Sequence, residues 1–119
     1  MVWYNQRLIA FVWSDAASME ITIIRQLCAI GALRWTDHAI ERTLKRGISR
    51  EDVKYIVMNG EIIEDYPEDY PYPSCLIFGK MHNGNPFHVV CGIGKGELWI
   101  ITAYSPNLNK WNNNFKTVV

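Results

Sequence analysis

The chain has 119 residues, a length that suits one domain able to bury a hydrophobic core without disulfide or metal support. Hydrophobic residues make up 49% of it and aromatic residues 13%, which excludes a disordered or low-complexity protein. Twelve Lys and Arg residues balance twelve Asp and Glu residues, so net charge gives no argument for a polyanion as partner.

The first 18 residues are interpreted as an N-terminal extension that precedes a single α+β domain over residues 19–119. Their longest apolar run, Leu8–Trp13, is too short to span a bilayer, and they lack the charged start and the cleavage site of a secretory signal. Met19 opens a helix-like segment and offers an alternative start of the chain. These features favour a cytoplasmic protein that does not associate with a membrane.

Three cysteines, Cys28, Cys75 and Cys91, are distributed along the chain without a C-x-x-C spacing. An odd number of thiols at this spacing indicates neither a disulfide framework nor a zinc ribbon. Reduced thiols in a cytoplasm fit the pattern best.

Apolar residues recur every three to four positions in the first part of the domain, which predicts three helices. At the second helix, Thr36 supplies an N-cap hydroxyl and Gly47 ends the helix. Ser49 and Asp52 have the spacing of a capping box and start the third helix. The predicted helices span residues 21–31, 36–47 and 49–60.

From Glu61 onward the apolar period changes to that of strands, and four strands are predicted. They span Glu61–Tyr66, Cys75–Met81, Phe87–Ile93 and Leu98–Tyr104. Turn sequences at residues 82–86 and 94–96 join the last three strands into an antiparallel meander. The glycines around Lys95 resemble a phosphate-binding loop, but they open no helix, so they are interpreted as a hairpin turn. The prediction is an α+β domain with N-terminal helices packed on a four-stranded, mainly antiparallel sheet.

The second predicted helix carries a row of cationic residues. His38, Arg42 and then Lys45 or Arg46 follow at steps of three or four residues, which places them on one helix face. An imidazole and two cations on one face would suit a phosphate group. The alternative is a solvated face on which Glu41 pairs with Lys45, and spacing alone does not decide between the two.

His88 and Tyr104 lie on predicted strands of the meander and could edge the same sheet face. Histidine is the most common general acid or base because its ordinary pKa is close to neutral pH. Tyr104 and Trp111 could stack on nucleobases. The alternatives are a structural histidine held by a backbone or carboxylate partner, and aromatic rings that belong to the core.

A metal site would have to combine Cys75, His82, His88 and Cys91. Because His88 and Cys91 are three residues apart in a strand, their side chains are expected on opposite faces of the sheet. The sequence therefore predicts no metal site, and it contains no motif for another cofactor.

Several segments together resemble the family of domains of unknown function called DUF4258. They are residues 37–49, 60–67, 73–76, 86–90 and 101–106, and the tail over residues 111–117 resembles the usual ending of that family. The resemblance covers most of the chain. It implies a bacterial protein with a RelE/ParE-like toxin fold, sometimes encoded beside a small antitoxin-like protein.

The resemblance also implies the reaction of RelE-type toxins, which cleave messenger RNA without a metal. In that reaction a ribose 2′-hydroxyl attacks the adjacent phosphate in line with the leaving oxygen. By this resemblance His38 and His88 would transfer protons. Arg42 and Arg46 would bind the phosphate charge, and Tyr104 would orient the RNA or stack on it. The implied partners are an antitoxin protein and a messenger RNA or ribosome.

The chain departs from the better-known relatives at its C-terminal end. Those relatives use several basic residues there, where this chain has only Lys110 and Lys116. Lys45 and Trp111 are further candidates for RNA contact. The alternative from another class is a non-catalytic protein-binding module that holds a partner at its sheet edge or at the aromatic loop Tyr66–Tyr72.

Overall fold

A computed structural model of the chain describes residues 19–107 and 115–117. The three predicted helices are confirmed. They are α1 (Ile21–Ala29), α2 (Asp37–Arg46) and α3 (Arg50–Asn59). Within the described residues, no helix is both long enough and apolar enough to cross a membrane. Residues 1–18 lie outside the described part, so their interpretation as an extension stays a prediction.

Helices α2 and α3 begin and end at the capping residues that the sequence indicates. The Thr36 hydroxyl accepts the Ala39 N–H at 3.0 Å and so satisfies a free donor in the first turn of α2. Gly47 ends that helix with a left-handed φ of 68°, a conformation that glycine adopts at little cost. Ser49 and Asp52 exchange side-chain to backbone hydrogen bonds at 3.0 and 3.1 Å, which completes the capping box of α3.

The sheet has five strands, and the predicted number of four is therefore wrong by one. They are β1 (Leu33–Trp35), β2 (Glu61–Tyr66), β3 (Ser74–Lys80), β4 (Pro86–Gly94) and β5 (Glu97–Tyr104). Their order across the sheet is β1-β5-β4-β3-β2. The predicted antiparallel meander of the last three strands is confirmed, and β2 also pairs antiparallel with β3. The sheet is mixed because β1 pairs parallel with β5.

Strand β1 is too short to show an alternating pattern. It pairs with β5 over only three residues, from Leu33 opposite Leu98 to Trp35 opposite Ile100. A flanking backbone hydrogen bond extends the pairing, since the Leu98 N–H donates to the carbonyl oxygen of Ala32 at 2.8 Å. The partner strand lies more than sixty residues later in the chain, so local periodicity gives no indication of it.

The turn between β4 and β5 is a two-residue hairpin. Gly94 lies opposite Glu97, and the two residues between them, Lys95 and Gly96, have φ values of 55° and 75°. Two positive φ angles are typical of the type I′ turn, whose twist matches that of paired strands. The interpretation of these glycines as a hairpin turn is confirmed.

One face of the sheet packs against all three helices and forms the core. Its buried residues are Cys75, Ile77, Val89, Cys91, Ile93, Leu98, Ile100 and Ala103, and the helices contribute Ile24, Cys28, Ala39, Val53, Ile56 and Val57. We call this the core face. The opposite face carries Phe78, His88 and Tyr104, and we call it the second face. The described tail residues Phe115 and Lys116 contact it.

Candidate functional site

Four strands each contribute one side chain to a row across the second face. Glu61 lies opposite Phe78, Phe78 opposite His88, and His88 opposite Tyr104. Residues that lie directly opposite in antiparallel strands project to the same side, with Cβ atoms about 5 Å apart. His88 and Tyr104 are therefore neighbours, as the sequence predicts, and their ring centroids are 5.3 Å apart.

A β-bulge in β5 puts Tyr104 on this face. Ile100 lies opposite Cys91 on the core face, and the next paired residue, Thr102, lies opposite Val90, so the residue between them is extra. Strict alternation from Ile100 would turn Tyr104 into the core. Bulges commonly redirect side chains beside active sites, and this one places Tyr104 on the second face.

His88 is fully buried and bonded at both ring nitrogens. Its Nε2 lies 2.7 Å from the carbonyl oxygen of Phe115, and because a carbonyl only accepts, Nε2 carries the proton. In the neutral ring Nδ1 is then the acceptor, and the Tyr104 hydroxyl at 3.3 Å donates to it. The Phe78 ring closes another side of the imidazole, edge to face at a centroid distance of 6.0 Å. A side chain with no exposed surface cannot touch a substrate itself.

Burial lowers the pKa of the His88 ring. The carbonyl of Phe115 and the negative charge of Glu64 act in the opposite direction and offset part of that effect. The ring is therefore neutral near neutral pH, in the state that accepts the Tyr104 proton.

This pKa shift predicts that acid destabilises the fold. Below the ordinary histidine value of 6.5 the unfolded chain binds a proton at residue 88, whereas the folded chain stays neutral there until a lower pH. We therefore expect the free energy of unfolding to fall as the pH drops through this range. Urea denaturation on either side of pH 6.5 measures this pH dependence. His88→Gln should reduce it, and His82→Gln, which removes an exposed histidine, is the control that should retain it. An equal pH dependence in His88→Gln and in the unchanged chain would contradict the burial account.

Tyr104 lines a cleft at the end of the sheet. The cleft encloses about 510 Å³ and is lined by Arg46, Ile48, Phe87, Tyr104, Ser105 and Asn107. Burial and the charge of Glu64 raise the pKa of Tyr104, while Arg46 acts to lower it. The phenol therefore keeps its proton near neutral pH, and its neutral hydroxyl lies 3.3 Å from Nδ1 of His88.

Arg46 brings a positive charge to the same cleft. It occupies the last turn of α2, and its Nη1 donates to the backbone carbonyl of Ala103 at 2.8 Å. Within the described residues this is its one hydrogen bond, and a guanidinium has five N–H donors. Its remaining donors can bind an anion in the geometry that guanidinium offers to phosphate.

The other predicted RNA contacts lie farther from Tyr104. Arg42 and His38 are one and two turns before Arg46, about 6 and 12 Å along the helix axis, and His38 is exposed. Lys45 is exposed on α2, and no ion pair joins it to Glu41 among residues 19–107 and 115–117. Trp111 and Lys110 lie outside the described residues. All of these assignments stay predictions.

The four-residue metal alternative is divided between the two faces. His88 lies on the second face and Cys91 on the core face, opposite Cys75 with the two sulfurs 4.0 Å apart. Their placement on opposite faces is confirmed. Across the part of the chain that the structure describes, no three His, Cys, Asp or Glu side chains are arranged to hold a metal ion.

Two residues of the second face were not among the site residues predicted from the sequence. Glu64 and Tyr66 join His88 and Tyr104 there, and the Tyr66 hydroxyl donates to Glu64 Oε1. The charge of Glu64 acts on both tyrosines and on the histidine. Their spacing of two residues is consistent with one strand face, but it does not say which face.

A comparison with models of known protein families matches one family over most of the residues that form this site. The model of a domain of unknown function, DUF4258, matches residues 35–105, more than half of the chain. The chain belongs to the DUF4258 family. The DUF4258 match runs from the end of β1 to the residue after β5 and includes Arg46, His88 and Tyr104. Comparisons with curated proteins and with solved structures gave no match.

Proposed function

We propose that this DUF4258 protein is a metal-independent endoribonuclease of the toxin type, with a fold related to the RelE/ParE-like toxins. One observation carries the proposal: Arg46 and Tyr104 share a cleft, and a buried neutral His88 accepts a hydrogen bond from the Tyr104 hydroxyl. Cleavage by a ribose 2′-hydroxyl needs an anion-binding group and a route for one proton. The cleft offers both.

In the proposed reaction Arg46 binds the scissile phosphate and stabilises the charge that develops on it. The 2′-oxygen bonds to phosphorus and the P–O5′ bond breaks. The proton of the 2′-hydroxyl passes to the Tyr104 oxygen as the Tyr104 proton passes to Nδ1 of His88. The 5′-oxygen takes a proton from solvent, and the buried His88 later returns its proton to solvent through the Tyr104 hydroxyl. The products are a 2′,3′-cyclic phosphate and a 5′-hydroxyl.

The cleft also supports contact with a nucleotide. Phe87 and Ile48 supply apolar surface on which a base can pack, and Ser105 and Asn107 supply polar groups. Farther along α2, Arg42 and His38 are suited to contact a neighbouring phosphate of a single strand rather than the scissile one. As a toxin-type protein it would act in the cytoplasm on messenger RNA, alone or at the ribosome, and an antitoxin protein would bind it.

A non-catalytic protein-binding module is the second candidate. Exposed apolar and aromatic side chains favour it, since Tyr70 is 85% exposed in the loop between β2 and β3 and Leu44 is 81% exposed on α2. Such side chains commonly anchor protein interfaces. This role requires neither Arg46 nor a neutral His88.

The purified protein with RNA tests the proposal. We expect cleavage in the presence of a metal chelator, with 2′,3′-cyclic phosphate ends on the products. Arg46→Gln should lower the cleavage rate about 100-fold, the typical loss when one charge-stabilising donor is removed. Arg34→Gln is the matched control, because it removes the same charge from an exposed ion pair with Glu97 at the opposite end of β5.

A second arm supplies messenger RNA under active translation, because a ribosome-dependent nuclease is inactive on free RNA. No cleavage in either arm, with folded protein present, would overturn the nuclease proposal and favour the binding module. Equal losses in Arg46→Gln and Arg34→Gln would reject the cleft as the site.

A further inference from the structure

A second β-bulge, in β2, determines where Glu64 lies. Ile62 pairs with Ile77 on the core face, and the next paired residue is Glu64, opposite Leu76, so the residue between them is extra. Strict alternation would place Glu64 opposite Cys75, inside the core. The bulge turns Glu64 to the second face and places Asp65 opposite Cys75 instead, where the Asp65 carboxylate accepts the Met19 N–H at 3.0 Å.

On the second face the Glu64 carboxylate is fixed by Tyr66. The Tyr66 hydroxyl donates to Glu64 Oε1, and both side chains are half-buried. This bond holds the carboxylate on the side where His88 and Tyr104 lie. Two separate bulges, in β2 and in β5, thus bring Glu64 and Tyr104 to the face of the same buried histidine.

The proposed reaction places a positive charge on the His88 ring. When Nδ1 takes the Tyr104 proton, the ring becomes a buried cation, and burial opposes that state. On the second face β3 supplies the apolar Leu76 and Phe78 and, at its exposed end opposite Pro86, the cation Lys80. A negative group on the second face would lower the energy of the imidazolium, and the interaction is strengthened where water is excluded.

The charged and titratable groups around His88 indicate which negative group can stabilise the imidazolium. Among the described residues, those on the second face and at its edge are Glu61, Glu64 and Tyr66 of β2, Lys80 of β3, Tyr104 of β5, Lys116 of the tail and Arg46 of α2. Glu61 is bound to Lys116 at 2.7 Å, which offsets its charge. Glu64 accepts a hydrogen bond from a neutral phenol instead, so its negative charge is not offset by that partner.

We infer that Glu64 is a positioning residue and the charge partner of His88: its carboxylate, held by Tyr66, stabilises the imidazolium that forms when Tyr104 gives up its proton. This inference rests on the proposed function for its role in RNA cleavage. The electrostatic coupling of Glu64 to His88 is independent of any reaction. It therefore has a direct physical readout.

The test compares Glu64→Gln with the unchanged chain. Glutamine keeps the length of the side chain and an oxygen that accepts the Tyr66 hydroxyl, but it removes the charge. The titration of the His88 ring is followed by NMR and should move to lower pH in Glu64→Gln. The cleavage rate should fall on the order of tenfold, less than the roughly 100-fold that loss of a proton-transfer group causes. Glu68→Gln, in the exposed turn after β2, is the control and should change neither.

The two readouts separate the two proposals. An unchanged His88 titration in Glu64→Gln overturns the inference, whatever the cleavage rate. A shifted titration, found where the unchanged chain cleaves neither free RNA nor messenger RNA under translation, supports the charge partnership and overturns the nuclease proposal. If acid unfolds the chain before His88 titrates, the pH of acid unfolding replaces the titration. The pH of acid unfolding should be higher in Glu64→Gln, because a lower folded-state pKa of His88 increases the loss of stability at each acid pH. No rise in the pH of acid unfolding overturns the inference.

Discussion

Tyr104→Phe is expected to lower the rate of RNA cleavage by about 100-fold or more, the usual contribution of a general acid–base group. The substitution keeps a residue that lines the cleft and removes only its hydroxyl, which donates to Nδ1 of His88. The ring, which packs against His88 at 5.3 Å between centroids, stays in place. RNA binding should therefore change little, and the loss should appear in kcat. Single-turnover cleavage of a defined RNA, beside a binding titration, measures both.

Tyr70→Phe is the matched control for this prediction. It removes the same hydroxyl from a side chain that is 85% exposed in the loop between β2 and β3, away from the cleft. We expect it to cleave RNA at the rate of the unchanged chain. A Tyr104→Phe chain that retains full cleavage would show that the proton does not pass through Tyr104, and His88 would then be a structural histidine.

Gly60→Ala is expected to destabilise the fold by about 3 kcal/mol, the upper end for overpacking in a well-packed interior. Gly60 joins α3 directly to β2, and its N–H donates to Ile56 at 2.7 Å. A Cβ there would lie 2.5 Å from the carbonyl oxygen of Phe78 and 2.7 Å from that of Ile56. Both are backbone atoms held by their own elements, so the contact can be relieved only if α3 moves away from the sheet.

Gly79→Ala supplies the control for Gly60→Ala. Its Cβ would approach the end of the Ile56 side chain at 3.0 Å, and a side chain can shift where a backbone cannot. A loss below about 1.5 kcal/mol is expected there. Urea denaturation of both variants gives the comparison. Equal losses in the two would contradict the claim that the direct junction between α3 and β2 is what excludes a side chain at Gly60.

Much of the fold could be predicted because it rests on local chemistry. The caps at Thr36, Gly47 and Ser49 fix the ends of two helices within a few residues of sequence, and all three are confirmed. The strands of the meander are runs of seven to nine residues rich in apolar side chains, and short turns join them. Strand β1 could not be predicted in this way, because three residues carry no period and their partner is distant in the chain.

The residues of the candidate site could be proposed from the sequence, but their geometry could not. His88, Tyr104 and Arg46 could be proposed from residue type and from the resemblance to DUF4258. The faces of Glu64 and Tyr104 could not be obtained by counting, since each follows a bulge that reverses the alternation of its strand. A bulge depends on what the partner strand and the core accept, and a single strand sequence does not contain that information.

The distribution of roles also depends on burial. His88 was predicted as a group that transfers protons to or from the RNA, but a side chain with no exposed surface must act through a neighbour. Tyr104 is that neighbour, because it lines the cleft and its hydroxyl donates to Nδ1 of His88. Burial therefore assigns the contact with RNA to the tyrosine and the storage of the proton to the histidine in the proposed reaction.

Induced expression of the unchanged chain and of Tyr104→Phe in bacteria, with growth and RNA 5′-ends followed together, tests the central claim most directly. The account predicts growth arrest and new RNA ends in cells that make the unchanged chain. It predicts neither in cells that make equal amounts of folded Tyr104→Phe. New RNA ends in both cultures would contradict the role of Tyr104, and the absence of arrest and of new ends in both, with folded protein present, would contradict the nuclease itself.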